Sequence, residues 1–459
     1  MSIGLLQILQ LILCFALLIT LHEGGHFLFA RLFKIRVEKF CLFFDPWFSL
    51  KLFSYKGTDY HLGWLPLGGY VKIAGMIDES MDTEQMKQPM KDDEFRAKPA
   101  WQRLLVMIGG VLVNFLTALI IYVGILFTWG EKYIPLANMT HGFAFSDEAK
   151  AHGFEDGDIP LRTNLGELTK INGDFFRSLA DADTIVVLRG GQLHNVIPGV
   201  ERSLLNISSA KAATPYIEQC IPSVIGEVAP NSLADTIGLK ADDQIIALDG
   251  TPISTWNKFQ ALMHIKNNEL QTATAEDAVA VRKVTLVVKH NDATIAAEAT
   301  VDTIHATLPP NLMHGIAFKA PTYEFVHQEY NLLQSIPAGI THGCNVLVGY
   351  VSDLKYIFTK QGAKSIGSFG TIASLFPDTW DWQRFWELTA FISLMLAFMN
   401  ILPIPALDGG HVLFLLYEVI TRRKPSDRFL EITQTIGMYL LLALMAFAIF
   451  NDCSNNGIF

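Results

Sequence analysis

The chain has 459 residues, of which 50% are hydrophobic and only 17% are charged, whereas a soluble domain usually carries about 25% charged residues. With a mean hydropathy of +0.30, this composition excludes an ordinary soluble protein and predicts a membrane protein. The net charge of −10 comes from one block: 28 acidic and 18 basic residues lie between Gly130 and Asp381, and the remainder holds 17 of each. An acidic block without a basic face excludes nucleic acid as a partner, and the five scattered cysteines indicate neither a disulfide framework nor a cysteine metal cluster.

Four uncharged runs are long enough to cross a bilayer, which takes about 20 mostly apolar residues. They are 1–21, 104–130, 388–407 and 432–451. The first run lacks the basic start and the small-residue cleavage site of a signal peptide, so it is interpreted as a retained helix. A fifth uncharged stretch, 330–352, is interrupted by Pro337 and glycines, and its apolar residues recur at helical spacing. For that stretch we favour an amphipathic helix at the membrane surface over a span.

The basic residues that flank these spans predict the orientation of the chain. The segment 31–103 holds 12 Lys or Arg, and the short connection after the third span holds four more. Because basic connections stay in the cytoplasm, both termini and the acidic block are expected outside it. Four spans put both termini on the same side of the membrane, as this orientation requires, and five spans do not.

A metal-binding pattern, His22-Glu23-Gly24-Gly25-His26, ends the first span. Residues four apart share a helix face, so the two imidazoles can converge on one Zn²⁺ while Glu23 takes a proton from a bound water. Such a motif also arises by chance in soluble helices. Ionisable residues within a span, however, are costly and tend to be functional.

A third ligand is expected from the late span, where the sequence reads Asn400-Ile-Leu-Pro-Ile-Pro-Ala-Leu-Asp408-Gly-Gly-His411. Its two prolines must break the helix, and broken backbone at membrane depth is tolerated only where protein or a wet cavity satisfies it. Asp408 is the candidate ligand, with a helix N-cap as the alternative. His411 is a fourth ligand or an interfacial residue, and we favour the second. Asn400 either satisfies freed backbone groups or contacts substrate.

Together the two motifs resemble those of the site-2 protease family of intramembrane zinc metalloproteases, and the resemblance covers nearly the whole chain. It implies that His22, His26 and Asp408 bind zinc, that Glu23 is the general base, and that Asn400 holds the substrate backbone. A small-xxx-Asn element of the family matches Gly110 to Asn114 in the second span, although Gly110 serves equally well in helix packing. The resemblance also implies single-pass membrane substrates whose outer domain has been shortened, such as an anti-sigma factor in a stress response, and signal-peptide remnants.

The loop after the first span changes character over residues 38–75, where aromatic and β-branched runs alternate with Gly and Pro. This pattern predicts short strands and hairpins. They form either a cytoplasmic cap without a chemical role or, as the resemblance implies, a membrane-dipping sheet whose edge pairs with an unwound substrate. The candidate substrate-binding residues in this loop are Gly63, Trp64, Gly68, Gly69 and Tyr70.

The acidic block contains two segments that echo each other. The second, with Ala241-Asp-Asp followed by Asp249-Gly250, looks like a PDZ domain with a hairpin turn. The first has an insertion, 160–170, before its Asn172-Gly173 turn and is assigned as PDZ-like. The two modules either bind peptides by strand addition or act as a steric gate.

The predicted fold is a multi-pass α-helical membrane protein of the bacterial inner membrane, with a β-hairpin region and two extracytoplasmic PDZ (α+β) domains. Its predicted segments are the first helix (1–30), β-loop and polar excursion (31–102), second helix (103–130), PDZ-like domain (131–220), PDZ domain (221–305), surface helices and linker (306–383), third helix (384–411), cytoplasmic loop (412–431) and fourth helix with tail (432–459). The predicted function is intramembrane peptide-bond hydrolysis with Zn²⁺ as cofactor. A zinc transporter and a catalytically silent PDZ scaffold are the alternatives. Around Ser368-Phe-Gly-Thr371 the chain lacks the Gly-Pro that the resemblance implies before the third span. Substrate entry at this place is therefore expected to differ from that in close relatives.

Overall fold

The computed structural model describes residues 4–66, 68–76, 89–198, 215–290, 300–358 and 367–455. The chain divides into two compact units, Met1–Glu131 with Gln328–Phe459, and Lys132–His327. The first unit consists of long helices and one small sheet, and the second of short strands and helices. Most of the polar excursion that the sequence predicts lies at 77–88, outside the described residues.

The first unit contains seven of the described α-helices and most of the apolar sequence. These helices are α1 (Leu5–Leu32), α2 (Ala100–Trp129), α8 (Leu332–Asp353), α9 (Phe369–Ser374), α10 (Trp382–Ile401), α11 (Asp408–Thr421) and α12 (Asp427–Asn455). Within the described part of the chain, four helices are long and apolar enough to cross a membrane, at Leu5–Leu32, Ala100–Trp129, Trp382–Ile401 and Arg428–Cys453. The four predicted spans are therefore confirmed as helices of spanning length.

The third predicted helix, 384–411, is not continuous. The chain leaves helical geometry after Ile401, because Pro403 and Pro405 cannot continue the hydrogen-bond ladder, and α11 begins at Asp408. The prediction of a loop over 412–431 is wrong for its first half, since α11 continues to Thr421. Val412 and Leu415 pack into the core beneath α2, and this burial stabilises a helix that a search for long uncharged runs does not detect.

The loop after α1 forms the predicted sheet. Its strands are β1 (Val37–Leu42), β2 (Leu50–Tyr55), β3 (Thr58–Leu62) and β4 (Tyr70–Ile73), in the order β2-β3-β1-β4. β2 and β3 form a hairpin whose turn residues Lys56 and Gly57 both have positive φ, as tight hairpin turns require. β1 pairs parallel with β3 and antiparallel with β4, which leaves β4 as an outer strand of this sheet.

The helix predicted at 330–352 is present as α8 and packs lengthwise on α2. Its contact face carries small residues, and a methyl group at Gly339 would lie 2.6 Å from the backbone of Val123. Ser335, Gly339 and Gly343 are buried on this face, so the two backbones approach closely. Its position at the membrane surface stays a prediction.

The second unit contains two modules, each with its own hydrophobic core. The first module comprises most of β5 (Glu131–Pro135), β6 (Phe143–Phe145), β7 (Ile159–Thr163), β8 (Gly166–Glu167), β9 (Lys170–Ile171), β10 (Ile185–Arg189), β11 (Gln192–Val196), β12 (Ile217–Gln219), α3 (Asp147–Ala151) and α4 (Gly173–Asp181). The second comprises β13 (Ile225–Val228), β14 (Gln244–Leu248), β15 (Thr251–Pro252), β16 (Lys283–Lys289), β17 (Val301–Thr307), β18 (Ile316–Phe318), α5 (Leu233–Thr236), α6 (Trp256–Thr272) and α7 (Ala275–Arg282), and is followed by β19 (Val326–Gln328).

Two sequence predictions for these modules need correction. The boundary at 305 falls inside β17, and β18 still pairs with β13 of the same module, so the second module extends further along the chain. The predicted turn at Asn172-Gly173 is the start of α4, since the Asn172 side chain accepts a hydrogen bond from the Phe175 N–H and caps that helix. Asp249-Gly250 does form the predicted turn, between β14 and β15.

A backbone contact between α1 and α2 sets the distance between these helices. A methyl group at Gly25 would lie 2.8 Å from the Gly110 nitrogen and closer still to the Gly109 carbonyl, whereas one at Gly24 would meet nothing within 4 Å. Gly25 is therefore required by packing, and its neighbour Gly24 is not.

We expect Gly25→Ala to lower the free energy of unfolding by about 1–3 kcal/mol, the usual cost of overpacking, and to reduce zinc content by separating the helices. Gly24→Ala is the matched control and should be neutral or stabilising, because alanine favours the helix. Melting temperature in detergent and bound zinc are the measurements. Equal effects of the two substitutions would contradict this account.

Candidate metal centre

Helix α1 presents both histidines of the HExxH motif on one face. The helix is continuous through the motif, so His22 and His26 are one turn apart, and their ring centroids lie 4.9 Å from each other. Their side chains are only 13% and 9% exposed. Glu23 is also buried and lines the same cavity as the two rings.

The broken segment after α10 carries Asp408 to these histidines. Ala406 has a positive φ of 74°, and α11 starts two residues later. Methyl groups at Gly409 and Gly410 would overlap the backbone of 401–405, so only glycines permit so tight a reversal. Asp408 Oδ2 thereby reaches 3.1 Å from Nε2 of His22 and 3.3 Å from Nε2 of His26.

The spacing of these three atoms fits a tetrahedral zinc ion. The two Nε2 atoms are 3.3 Å apart, so the triangle has sides of 3.1, 3.3 and 3.3 Å. Ligands placed about 2.0–2.1 Å from a tetrahedral centre are separated by about 3.3–3.4 Å. The buried Asp408 Oδ2 makes no hydrogen bond with the described residues, as expected of an oxygen placed for a cation. The donor set and its spacing therefore fit Zn²⁺.

Hydrogen bonds outside the triangle orient the rings. His26 Nδ1 lies 2.9 Å from the Val106 carbonyl, so Nδ1 carries the hydrogen and Nε2 keeps its lone pair for a metal. His22 Nδ1 lies 3.3 Å from the Asn114 amide nitrogen, and the Asn114 Oδ1 is buried without a partner among the described residues. Exchanging the amide O and N positions of Asn114 satisfies that oxygen and fixes the His22 tautomer in the same way.

Gly110 and Asn400 both lie beside the rings. A methyl group at Gly110 would lie 2.5 Å from Nε2 of His26 and 2.6 Å from Cε1 of His22, so this glycine makes room for the imidazoles, while Gly109 makes the helix contact. The Asn400 amide nitrogen is 3.4 Å from His22 Nε2. The sequence left both roles open, and the structure places both residues at the centre.

A cavity of about 60 Å³ adjoins the triangle, which is room for more than one water molecule. Its lining comprises His22, Glu23, His26, Tyr70, Val71, Ile73, Met76, Met107, Ala406, Leu407, Asp408 and His411. The outer strand β4 thus forms one wall of the space that holds the candidate base and ligands. His411 is in that wall too, and it is not one of the three residues whose ligand atoms cluster.

Of the five predicted substrate-binding residues in this loop, the cavity lining contains Tyr70 and none of the others. Tyr70 lines the cavity, and its hydroxyl donates to Asp45 Oδ1 at 2.9 Å. Gly69 lies against Ile19 of α1, and Gly68 against the ring of Phe44. Gly63 and Trp64 come directly after β3.

The Trp64 ring stacks on the rings of Trp47 and Phe48. Gly63 packs on the backbone of residues 43 and 44. These contacts of Gly63 and Trp64 are with the segment between β1 and β2.

Sequence reasoning missed Gln434 on α12. Its amide nitrogen lies 2.6 Å from His411 Nε2, and its side chain is buried. The available signal was a polar amide inside an otherwise apolar span, a position that is costly unless the group has a partner.

Comparison with known proteins places the chain among peptidases. A family model described as Peptidase family M50 matches residues 10–444. A Salmonella typhi protein named regulator of sigma E protease is 28% identical over 96% of this chain and 97% of its own length. The Escherichia coli K12 regulator of sigma-E protease RseP is 27% identical with the same coverage, and a Xylella fastidiosa protein named as a zinc metalloprotease is 26% identical over 98% of both chains.

The chain belongs to peptidase family M50, the site-2 protease family. It is a zinc metalloprotease, because the family uses zinc, and the ligand triangle, the buried Glu23 and the cavity beside them fit that chemistry. The fold class predicted from sequence is confirmed as far as a membrane protein with four helices of spanning length among the described residues.

Proposed function

We propose that this protein cleaves peptide bonds within transmembrane segments of single-pass membrane proteins, in regulated intramembrane proteolysis. The observation that carries the proposal is the ligand triangle, which lies with Glu23 in one cavity between helices of membrane-spanning length. Hydrolysis there needs water, a base and a place for an extended peptide. The cavity, Glu23 and the outer strand β4 are candidates for these three requirements.

The residues have separate roles in this chemistry. His22, His26 and Asp408 would hold zinc, which when bound polarises a carbonyl and lowers the pKa of a bound water to about 7. Glu23 takes the proton of the attacking water and passes it to the leaving amine nitrogen. Asn400, whose amide nitrogen lies 3.4 Å from His22 Nε2, is proposed to donate its amide hydrogens to a substrate carbonyl.

We expect Glu23→Gln to abolish cleavage of a tagged single-span substrate while zinc stays bound, because the amide keeps the shape of the side chain but cannot accept the proton. Loss of a general base typically costs about 10²–10⁴-fold in rate. Cleavage products in detergent micelles and zinc content of both proteins are the measurements.

The same assay separates the competing functions. Asp408→Asn is the matched comparison, since it should lose zinc as well as activity. Equal cleavage by wild type and Glu23→Gln would refute the assignment of the base. If zinc-loaded wild type cleaves nothing, the transporter and the PDZ scaffold become the better explanations.

The outer edge of β4 is the proposed binding site for the substrate backbone. A transmembrane helix has no accessible peptide bond until it unwinds, and an extended segment can then pair with a sheet edge through main-chain hydrogen bonds. β4 pairs with β1 on one side, and Tyr70, Val71 and Ile73 line the cavity beside the ligands. Strand addition would therefore bring the scissile bond next to Glu23.

A substrate series with single backbone N-methyl groups tests this arrangement. In a paired strand alternate N–H groups face the partner, so removing donors one at a time should raise KM with a period of two residues, by several-fold to about tenfold for each lost bond. Methylation far from the scissile bond is the control. A loss that does not alternate would contradict strand addition at β4.

The two modules of the second unit are proposed to be PDZ-type domains outside the cytoplasm that exclude substrates with bulky, uncut outer domains. The second module supports this best, with the Asp249-Gly250 hairpin and α6 over its sheet core. Peptide ligands of either module would bind by strand addition. The basic flanks of the spans support the same orientation, with both termini outside and the centre toward the cytoplasmic side of a bacterial inner membrane.

Replacing 132–327 with a short Gly/Ser linker should admit uncut substrates. β5 and β19 are neighbouring strands, so the two ends of the excision lie close together. The shortened protein should cleave single-span proteins that retain a folded outer domain, such as an intact anti-sigma factor, and should still cleave a pre-shortened substrate or a signal-peptide remnant. Unchanged selectivity, measured as the cleavage ratio of the long and short substrates, would show that this unit is not a filter.

A further inference from the structure

We propose that His411, held by Gln434, donates a hydrogen bond to the oxygen of the scissile carbonyl as water adds to it. This inference rests on the proposed peptide hydrolysis and assigns a donor that the metal-ligand motifs do not supply. His411 is then a catalytic residue and Gln434 a positioning residue.

His411 lies in the wall of the cavity that contains Glu23 and the ligand triangle. It follows Asp408 by three residues on α11, so the two side chains project from the same face of the helix. Asp408 Oδ2 is shared by His22 and His26 at 3.1 and 3.3 Å. The His411 ring therefore faces the space where a carbonyl would be attacked.

The contact with Gln434 engages one ring nitrogen of His411 and leaves the other for the cavity. The Gln434 side-chain amide lies 2.6 Å from His411 Nε2, and the proposal assigns the amide N–H as the donor and Nε2 as the acceptor. A neutral imidazole with Nε2 as acceptor has its hydrogen on Nδ1. Within the described residues Nδ1 makes no hydrogen bond, and His411 lines the cavity, so the proposal gives this N–H to a carbonyl bound there.

Helix α12 is held at the place where this contact is made. A methyl group at Gly437, three residues after Gln434, would lie 2.9 Å from Pro405 Cβ and closer to the Pro405 carbonyl. α12 thus rests directly on the broken segment that leads to Asp408. Gln434 is 8% exposed, and a buried amide inside a span is costly unless it is bonded. His411 supplies that bond.

A donor at this position has a clear chemical use. Negative charge develops on the carbonyl oxygen when water adds, and a preoriented N–H in a site of low dielectric stabilises that charge without reorganisation. Removal of one such donor typically costs about 10²–10³-fold in kcat. A fourth metal ligand is the alternative role, but His411 is outside the cluster of ligand atoms, and its Nε2 is engaged by Gln434.

The experiment compares His411→Phe, which keeps a ring without a donor, with His411→Gln, which restores an N–H. We expect His411→Phe to retain zinc and KM and to lose about 100-fold in kcat, and His411→Gln to recover most of that loss. Gln434→Leu should also lower kcat, and in the His411→Phe background it should add nothing, because the two residues act as a unit. Ile436→Ala, an exposed position on the same helix, is the control and should leave all values unchanged.

The outcomes distinguish this inference from the proposed function. Cleavage by wild type, with loss in Glu23→Gln, establishes the hydrolysis in the same assay. Normal kcat in His411→Phe would then overturn the His411 assignment alone. Loss of zinc in His411→Phe and His411→Gln would make His411 a ligand instead, and additive effects of the two substitutions would show that Gln434 does not act through His411.

Discussion

The rest of the structure depends on one constraint: Nε2 of His22, Nε2 of His26 and Oδ2 of Asp408 lie 3.1–3.3 Å from one another. These three atoms meet among helices of membrane-spanning length. Such groups are costly in an apolar surrounding unless a partner compensates them. Asp408 Oδ2 has no hydrogen bond among the described residues, and the His26 ring gives its other hydrogen to the Val106 carbonyl. A divalent cation is the partner that compensates all three groups at once.

Small residues and helix breaks around the centre let the three ligand-bearing segments approach one another. Gly25 and Gly109 let α1 and α2 approach until their backbones touch, and Gly110 leaves space for both rings. The prolines end α10, and the glycines after Asp408 fold α11 back against the break. These are sterically demanding arrangements with little tolerance for added atoms, since packed interiors do not yield to one more methyl group without strain.

The two sides of the centre are built differently. The ligands come from helices, whereas the facing wall is the outer strand β4, which retains a capacity for main-chain pairing that a helix lacks. α12 contributes the buried Gln434 amide, which lies against His411 of the cavity wall. A rigid metal site can therefore exist beside surfaces suited to an incoming chain.

The amino-acid sequence by itself determined the membrane class, the spans, the ligand motifs and the strands of the loop after α1. These follow from local physics: uncharged length, i to i+4 spacing on a helix, and alternation with turn residues. It did not determine where α11 would begin and end, nor the end of the second module. Those boundaries depend on burial of Val412 and Leu415 and on pairing of β18 with β13, contacts between segments far apart in sequence.

Only the tertiary structure decided which small and polar residues meet the centre. Gly24 and Gly25 are indistinguishable in the motif, yet a methyl group on Gly25 would overlap α2 and one on Gly24 would meet no other described segment within 4 Å. The sequence does not indicate that Gln434 lies against His411, 23 positions away in the chain. The physical reason is that hydrogen bonds and close packing are satisfied in three dimensions, whereas a sequence pattern records only the periodicity of single elements.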